Sequence, residues 1–580
     1  MILGLSLSHD ASAAITENDG VVHSALGEER ITRLKNHAGL PVKAIERLIQ
    51  AAGQELDFEK IVIGSHQKMS LVDAKQMIAQ LDQNPSNPEG KGFPVRPAYK
   101  LPKSIENLEP KAMIEKTLRE ILLSQGSSVG EFVWEKHHNS HLGCALGATE
   151  AMHNILLSFD GHGDGESAAI ALSEDRKLTK RLTSIPQLDS LGTLYSAVTD
   201  KYNFKSGQHE GKITGLAAYG AHSRAVEFLM EHVEVSDGKI KIKYFKNKTM
   251  ASLIGGIRSL GFKTNLVKSL EDIVYIAESQ TENYADLAFA VQSVLENSII
   301  EIVNYWIDKT GVPNLSLAGG VFSNVKLNQK LADLTKTKKV TVFPNMGDGG
   351  IALGGVWSYL SKNSSLPSHE LYTDMFLGPI TDDKIDLSKF DLIVEEFGSS
   401  EIANLAASDI ENGKLVAVHQ NQMEFGPRAL GNRSLLLDSR DRTIQVTANQ
   451  RLRRTEFMPF APMVLEREFD NFFETQNKTL TPFNYMTMTC NVRENKRHLI
   501  PAVTHIDGTA RPQIINSDLN PLCNSIIEAF YAKTRIPILV NTSLNVHEEP
   551  INYSLEDSIS CLRRRIIDVI YTDTVRIKLK

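Results

Sequence analysis

The chain of 580 residues is too long for one hydrophobic core, so at least two domains are expected. Its 42% hydrophobic and 23% charged residues are typical of a soluble protein, and because no run of about 18 apolar residues occurs, no membrane span is expected. The 63 basic and 70 acidic residues give a net charge of −7, which argues against a surface that coats nucleic acid.

The four cysteines indicate a reducing compartment. Cys144, Cys490, Cys523 and Cys561 are scattered along the chain without CxxC spacing, which argues against a disulfide framework or a structural zinc site. The apolar first residues are few and lack a basic leader, so no signal peptide is expected. We therefore predict a cytoplasmic protein.

The first residues predict a strand that leads into a phosphate-binding turn. Residues 2–7 are apolar, and the SHDASAA segment that follows has small residues that let backbone amides approach a phosphate. A second strand is predicted over 21–26, a helix over 41–52 and a third strand over 61–64. Between them, residues 28–37 are rich in charge, and from charge alone a solvated loop is the favoured interpretation.

The stretch HHNSH at 137–141 carries two histidines four residues apart. It opens a segment of small residues that predicts a buried helix, on which His137 and His141 share one face. Two imidazoles placed in this way can hold a metal ion with ligands from elsewhere, although histidines with ordinary core or surface partners are the commoner case. Asp160 and Asp348 each follow a short apolar strand and stand among glycines, so they are candidates for the further ligands.

Glycines mark three other turns that are suited to phosphate. A hairpin at 160–167 lies between predicted strands, with a plain hairpin as an equal alternative. Residues 211–220 combine glycines with Lys212. A long helix over 284–310 is predicted to end at Gly311, and the strand that follows leads into Gly319-Gly320, which is weak evidence for a nucleotide site.

The composition changes near residues 361–368, and we place a domain boundary there. The second domain is predicted to begin near residue 376 and to hold strands at 414–418, 536–540 and 568–571. Arginines recur in it among glycine, proline and small residues, which favours a pocket for a polyanion over isolated surface charges.

Motifs throughout the chain resemble those of the O-carbamoyltransferase family, whose members modify aminoglycosides, cephalosporins, novobiocin and nodulation factors. MEFGPRALGNRS (423–434) and HIDGTARPQ (505–513) are highly specific. The remaining motifs keep the family's order and approximate spacing: SHDASAA (8–14), GEERITRLK (27–35), HHNSH (137–141), SFDGHGDGES (158–167), SLGTLYSAVT (190–199), EGKITGLAAYG (210–220), AGGVFSN (318–324), NMGDGGIALG (345–354), TEFMPFAP (455–462) and NTSLN (541–545).

The resemblance implies an α/β protein of two domains. Residues 1–365 would form a Kae1-like domain of the ASKHA (actin, Hsp70 and sugar-kinase) type, and residues 366–580 would form a YrdC-like domain with a twisted α/β sheet. The YrdC-like domain would combine carbamoyl phosphate with ATP to give carbamoyl-adenylate and pyrophosphate. The Kae1-like domain would then transfer the carbamoyl group to a hydroxyl of a small acceptor, such as a secondary metabolite or a sugar-like molecule.

The resemblance also implies the site residues. It makes His137, His141, Asp160 and Asp348 the ligands of a divalent metal, with iron(II) favoured and manganese or zinc as alternatives; Mg²⁺ would accompany ATP. His9, beside Asp10, is our candidate for the base that activates the acceptor, and Lys35 matches a basic family position. Nucleotide contacts in the first domain would come from Ser12, Gly161, Gly163, Lys212, Gly319, Gly320 and Asn324. Carbamoyl phosphate and ATP would be bound in the second domain by Arg428, Arg433, Arg451, Arg453, Arg454, His505, Asp507, Arg511, Asn541, Ser543 and Asn545.

Three positions depart from the family pattern. Many members carry a cation where this chain has Gln422, Leu452 or Met458, and Arg451 or Arg453 would replace the missing charges. The acceptor cannot be read from the sequence, because its contacts would come from variable loops at 80–105 and 245–280. A homodimer is expected only from its general frequency among oligomers.

Two other functions compete with this one. A tRNA threonylcarbamoyl-type enzyme would use related domains, but the negative net charge and the MEFGPRALG signature argue against it. A binding protein with an actin-like fold and no transfer activity is disfavoured by the arginines and the candidate metal ligands. The expected partners are therefore ATP, carbamoyl phosphate and a small acceptor, with no nucleic acid.

Overall fold

A computed structural model describes residues 1–53, 55–65, 69–79, 108–243, 269–362, 364–367, 371–380, 385–454 and 460–580. The predicted acceptor loops at 80–105 and 245–268, Met458 and most of the TEFMPFAP motif lie outside the described residues. None of the helices within these ranges is both long enough and apolar enough to cross a lipid bilayer.

The N-terminal part of the chain forms two five-stranded sheets with the same topology. In each sheet the first three strands pair antiparallel, and the first strand also pairs parallel with the fourth, which pairs parallel with the fifth. The strands of the first sheet are β1 (Ile2–Ser6), β2 (Ser12–Thr16), β3 (Val22–Gly27), β4 (Asp57–Ile63) and β5 (Ser128–Trp134). The next strands are β6 (His153–Gly163), β7 (Glu166–Glu174) and β8 (Lys177–Pro186), then a separate hairpin of β9 (Val233–Ser236) and β10 (Lys239–Ile242), and finally β11 (Asn314–Ala318) and β12 (Lys339–Val342). The second sheet has the order β8-β7-β6-β11-β12, which matches β3-β2-β1-β4-β5 position by position.

Helices pack against these sheets. The helix predicted over 41–52 is confirmed over Val42–Ala52, and its buried residues Ala44, Ile45, Leu48 and Ile49 form one stripe. The predicted long helix is confirmed over Asp286–Thr310, and it ends at Gly311 with φ of 71°. The other helices of this part are Glu28–Thr32, Leu71–Ala79, Pro110–Ser124, His137–Gly147, Leu191–Lys201, Glu210–Ala217, Arg224–His232, Leu270–Glu278, Val325–Ala332 and Ile351–Ser361.

Two central helices each follow the last strand of one sheet and pack on the other sheet. The helix His137–Gly147 follows β5 but contacts β6, β7 and β11, whereas the helix Ile351–Ser361 follows β12 but contacts β1 and β4. They cross where Gly143 meets Gly354, since a Cβ on Gly143 would lie 1.9 Å from the Gly354 carbonyl oxygen. This crossing brings the N-terminal ends of both helices to the same place between the sheets.

The C-terminal part is a mixed eight-stranded sheet with a small three-stranded sheet beside it. Its strands are β13 (Leu392–Glu396), β14 (Val416–His419), β15 (Arg433–Asp438), β16 (Ala461–Leu465), β17 (Phe473–Glu474), β18 (Cys490–Val492), β19 (Thr509–Ala510), β20 (Gln513–Ile515), β21 (Ile538–Ser543), β22 (Val569–Tyr571) and β23 (Val575–Leu579). The large sheet has the order β13-β23-β22-β14-β15-β21-β16-β20. The helices are Ser399–Glu411, Arg442–Arg451, Phe469–Phe472, Thr481–Asn484, Pro521–Thr534 and Leu555–Arg563, of which the first and fifth pack together. The predicted mixed α/β class is confirmed.

The segment between the two parts lies against the first sheet. The Val22 amide donates to the Leu371 carbonyl and the Ala25 amide donates to the Leu377 carbonyl, each over 2.8 Å. The chain therefore still pairs with β3 several residues beyond the predicted boundary at 365/366, and the division into two domains stays a prediction.

Residues 28–37 are not the solvated loop that their charge predicted. They begin with the helix Glu28–Thr32, in which Glu28 and Arg30 are buried. Arg30 donates to the Gly426 carbonyl over 2.6 Å, and Arg33 donates to the carbonyls of Pro550 and Ile551 over 2.8 and 2.7 Å. The loop prediction was wrong because these cations find backbone acceptors in the C-terminal part of the chain.

Candidate active site

Four side chains near the N-terminal ends of the two crossing helices form a largely buried cluster. His137 and His141 lie on successive turns at the start of their helix, Asp160 lies near the end of β6, and Asp348 opens the turn before the helix Ile351–Ser361. One ligand atom from each of the four lies within 4.8 Å of the others. The Nε2 atoms of His137 and His141 are 3.1 and 3.0 Å from Asp160 Oδ2, and His141 Nε2 is 3.3 Å from Asp348 Oδ1.

The electrostatics of this cluster favour a positive charge at its centre. Burial opposes ionisation of both carboxyls, but His137 and His141 hold the pKa of Asp160 below its usual range, and His137 and His9 do the same for Asp348. Within the described part of the chain, Asp348 Oδ1 is buried and forms no well-aligned hydrogen bond, although His141 Nε2 lies 3.3 Å from it. Two carboxylates would balance a divalent cation, and mixed imidazole and carboxylate donors suit iron(II), manganese or zinc, so the residues fit a metal ion.

The neighbouring His138 is not part of this cluster. Its Nδ1 atom is 2.8 Å from Ser158 Oγ, and burial lowers its pKa to about 3, so its imidazole is neutral. A glycine gives the cluster its space, since a Cβ on Gly163 would lie 2.2 Å from the ring of His137. The His137 amide donates to Asp164 Oδ2 over 2.9 Å, which fixes the first residue of the helix.

His9 lies beside the cluster in the turn after β1. Its Nδ1 atom is 3.2 Å from Asp348 Oδ2, and Asn36 donates to Asp10 Oδ1 over 2.7 Å. Although desolvation opposes protonation, the carboxylates of Asp348 and Asp10 raise the pKa of His9 to about 10. Unless a cation neutralises the carboxylate of Asp348, His9 therefore stays protonated and cannot accept another proton.

A continuous cavity of 2640 Å³ connects the cluster with the C-terminal part. Most of the predicted site residues line it. In the N-terminal part these are His9, Asp10, Lys35, His137, Asp160, Gly161, Gly163, Lys212, Gly320, Asn324 and Asp348, and in the C-terminal part they are Arg428, Arg454, His505, Asp507, Arg511, Asn541, Ser543 and Asn545.

Two predicted nucleotide contacts of the N-terminal part are instead framework residues. Ser12 is fully buried in β2, and its hydroxyl donates to the Gly349 carbonyl over 2.7 Å, so it positions the turn that carries Asp348. Gly319 has φ of 100°, and a Cβ there would lie 2.2 Å from the Phe159 carbonyl oxygen. Its role is therefore close backbone packing, whereas Gly320 lies on the cavity wall beside Asp160.

Three arginines also depart from their predicted role. Arg433 is fully buried, and its guanidinium donates to the carbonyls of Gln420, Asn432 and Tyr553 at 2.5, 3.0 and 3.2 Å. Arg451 forms a bidentate pair with Asp568 at 2.9 and 2.8 Å. Arg453 is exposed and does not line the cavity. Neither Arg451 nor Arg453 lines the cavity, so their placement does not favour the suggestion that they replace the family cations.

Arg454 is the member of that group that reaches the cavity. It donates to Thr542 Oγ1 over 2.6 Å and to Ser543 Oγ over 3.0 Å. Asn541 donates to the Ala429 carbonyl and to Gln513 Oε1, over 3.0 and 2.6 Å. These bonds hold the NTSLN segment and the loop of Arg428 against each other at the cavity wall.

Sequence reasoning missed cations that connect the two parts of the chain, among them Arg30 and Lys326. Arg30 contacts the loop two residues before Arg428, and Lys326 donates to Asp507 Oδ2 over 2.6 Å. Their residue types gave no signal, because each partner is distant in sequence. Of the predicted acceptor region, the described helix Leu270–Glu278 packs on the helices Arg224–His232 and Leu191–Lys201 and does not line the cavity.

Comparison with known proteins decides the family. The model described as "Carbamoyltransferase N-terminus" matches residues 1–357, and the one described as "Carbamoyltransferase C-terminus" matches residues 407–578. The chain belongs to the carbamoyltransferase family. Like other carbamoyltransferases it is a transferase enzyme.

Relatives of this carbamoyltransferase span most of its length. Nodulation protein NolNO of Sinorhizobium fredii is 30% identical over 98% of this chain and 79% of its own. The 3'-hydroxymethylcephem-O-carbamoyltransferase of Streptomyces clavuligerus is 29% identical over 77% of this chain and 80% of its own. Among solved structures, full-length HypF in its phosphate- and nucleotide-bound form is 19% identical over 31% of this chain and 22% of that chain, with a TM-score of 0.23. A score this low does not establish a common fold, so the Kae1-like and YrdC-like assignments stay predictions.

Proposed function

We propose that this carbamoyltransferase is an O-carbamoyltransferase that works in two steps within one cavity. In the first step carbamoyl phosphate and ATP give carbamoyl-adenylate in the C-terminal part. In the second step the carbamoyl group passes to a hydroxyl of a small acceptor at the histidine and aspartate cluster. The observation that carries the proposal is the continuous cavity between the arginines of the C-terminal part and that cluster. The two relatives are consistent with it, since one is named for O-carbamoyl transfer to a small molecule.

The first step brings the phosphates of two substrates together and needs cations at that point. Arg428, Arg454 and Arg511 line the same stretch of cavity wall as the NTSLN segment. Arginine suits this role because its guanidinium forms paired, charge-assisted hydrogen bonds to phosphate oxygens. Ser543 and Asn541 would hold the uncharged carbamoyl end through neutral hydrogen bonds. The mixed anhydride with AMP gives the second step a good leaving group.

The second step develops negative charge on the carbamoyl oxygen and releases the proton of the acceptor hydroxyl. His137, His141, Asp160 and Asp348 would hold the metal ion. A divalent cation there would stabilise the developing oxyanion and offset the carboxylate charge that keeps His9 protonated. We assign to His9 the acceptance of the hydroxyl proton, since it lies at the cavity edge of the cluster. Lys35, Lys212 and Gly320 would contact the nucleotide from the N-terminal wall.

The proposal is tested by incubating the purified protein with ATP and carbamoyl phosphate and measuring pyrophosphate. We expect pyrophosphate to form only when both substrates are present. A panel of hydroxyl-bearing metabolites then identifies the acceptor by a mass increase of one carbamoyl group. A protein that forms no pyrophosphate under these conditions would contradict the proposed first step.

A further inference from the structure

A chain of hydrogen bonds in the HIDGTARPQ motif ends on His505. Lys326 Nζ, from the N-terminal part, donates to Asp507 Oδ2 over 2.6 Å. Thr509 Oγ1 lies 2.6 Å from Asp507 Oδ1 and 3.3 Å from His505 Nδ1. Backbone bonds between His505 and Thr509 close the same turn, with the His505 amide 2.8 Å from the Thr509 carbonyl.

This series of hydrogen bonds determines which nitrogen of His505 carries the proton. Although burial opposes ionisation, Lys326 and Thr509 lower the pKa of Asp507 to about 2, so its carboxylate only accepts hydrogen bonds. The single hydroxyl proton of Thr509 is therefore donated to Asp507, and the Thr509 oxygen can only accept from His505 Nδ1. His505 must carry its proton on Nδ1, which leaves a lone pair on Nε2.

The free lone pair is available to a molecule in the cavity. His505 lines the cavity, and no described residue forms a hydrogen bond to its Nε2 atom. Burial lowers the pKa of His505 to about 4, with Asp507 raising it and Arg511 and Lys326 lowering it. The imidazole is thus neutral at physiological pH, so no proton blocks the lone pair on Nε2.

His505 is close to the residues assigned to carbamoyl phosphate. The charge of Arg511 lowers the pKa of His505. Two residues after Arg511, Gln513 Oε1 accepts a hydrogen bond from Asn541 over 2.6 Å. The Gln513 side chain also donates to the Leu430 carbonyl over 2.8 Å, in the loop that carries Arg428. The turn of His505 therefore belongs to the same wall as Arg428, Asn541 and Ser543.

The proposed first step needs a base at this wall. Carbamoyl phosphate and ATP can give carbamoyl-adenylate, pyrophosphate and inorganic phosphate only if one water molecule is consumed, because the anhydride retains a single bridging oxygen. That water must lose a proton to become a nucleophile. The Arg, Asn and Ser side chains around it are donors or neutral groups and do not serve as bases at neutral pH.

We propose that His505 is the catalytic base of the first step, with Thr509, Asp507 and Lys326 as its positioning residues; this rests on the proposed two-step function. Water attacks the carbonyl carbon of carbamoyl phosphate while His505 Nε2 takes its proton. The bond from that carbon to the bridging anhydride oxygen breaks, and inorganic phosphate leaves with the proton that His505 returns. The carbamic acid formed loses its remaining acidic proton to solvent and becomes carbamate. The resulting carbamate attacks the α-phosphorus of ATP, and pyrophosphate leaves.

The variant His505→Asn keeps an amide donor for Thr509 but lacks the distal nitrogen. We expect the kcat for pyrophosphate formation from ATP and carbamoyl phosphate to fall by about 100-fold or more, with both KM values within about threefold of wild type. Ammonium bicarbonate solution contains carbamate, which bypasses the water step, so adding it should restore pyrophosphate formation. Undiminished activity with carbamoyl phosphate, or a defect that carbamate does not relieve, would overturn the assignment.

The positioning residues are tested by Thr509→Val and Lys326→Met, with Lys338→Met as the control. Lys338 is exposed beyond the end of the helix that carries Lys326, and it does not line the cavity. We expect about a tenfold loss of kcat for the first two variants, again relieved by carbamate, and wild-type kinetics for the control. An equal loss in the control, or a loss in the first two that carbamate leaves unchanged, would show a merely structural effect. If the wild-type enzyme itself forms no pyrophosphate, the proposed function fails rather than this assignment.

Discussion

Gly143 lies against Gly354 at the crossing of the two central helices, where a Cβ on Gly143 would be 1.9 Å from the Gly354 carbonyl oxygen. The first helix begins with His137 and His141, and the second follows the turn of Asp348. The distance between these backbones therefore sets the geometry of the candidate metal cluster.

Gly143→Ala is expected to force the two helices apart. Overpacking a close contact costs about 1–3 kcal/mol, and the displacement would separate the histidines from Asp348. We expect a lower Tm and a reduced metal content by elemental analysis. Gly211→Ala is the control, because Gly211 is also helical but a Cβ there meets nothing within 4 Å, and it should keep or raise the Tm. Equal metal content in Gly143→Ala and wild type would contradict the expectation.

Asp348→Asn is expected to abolish metal binding and the second step but not the first. The substitution removes one of the two carboxylates of the cluster, whereas the arginines of the first step lie on the other part of the cavity wall. Pyrophosphate formation should persist while carbamoylation of the acceptor is lost. His138→Gln is the matched control from the same helix, and it should retain the metal because His138 bonds to Ser158 instead. Metal content and the two product assays check these outcomes separately.

Arg433 and Arg428 belong to one motif but are expected to respond differently to substitution. Arg433→Met would leave the carbonyls of Gln420, Asn432 and Tyr553 without their donor, at a cost of about 1–3 kcal/mol for each carbonyl left unsatisfied, which a large drop in Tm would reveal. Arg428→Met should lower the Tm less, because Arg428 is half-buried whereas Arg433 is fully buried. The loss of a charge-assisted bond of about 1.5–3 kcal/mol should raise the KM for a phosphate substrate by about 10- to 100-fold. The reverse pattern would refute the distinction between a framework arginine and a ligand-binding one.

Glu28 is expected to make stability depend on pH. Burial raises the pKa of this carboxyl from 4.5 to about 7, against the opposing effect of the Ala44 and Lys43 amides that it accepts. The folded state holds this proton more tightly than the unfolded state does. The proton's contribution to folding stability is therefore complete below about pH 4.5 and is lost as the pH rises through 7. The full effect is about 3 kcal/mol. As the pH rises over this range, the Tm of Glu28→Gln should therefore increase relative to that of wild type. A Tm difference that does not change with pH would contradict this expectation.

The sequence predicted the candidate metal cluster better than the phosphate site. The i, i+4 spacing of His137 and His141 on a helix and the placement of Asp160 and Asp348 after strands are local patterns, and family motifs completed the set. Arg433 and Arg451 also stand among residues typical of a phosphate site, but most of their partners are distant in sequence. Arg433 donates to Gln420 and Tyr553, which are 13 and 120 residues away, and Arg451 pairs with Asp568, which is 117 residues away. Residue type identifies a cation, whereas only the folded chain shows whether another protein group already neutralises it.

The packing of the first sheet has a consequence for synthesis of the chain. A Cβ on Gly4 in β1 would lie 2.0 Å from the Ala352 carbonyl oxygen, so this face of the sheet is covered by a helix that begins at Ile351. While the ribosome is still making the residues between β1 and this helix, the nascent sheet has an uncovered apolar face. We expect newly made chains to depend on chaperones until the helix Ile351–Ser361 emerges, and fragments that end before it to aggregate.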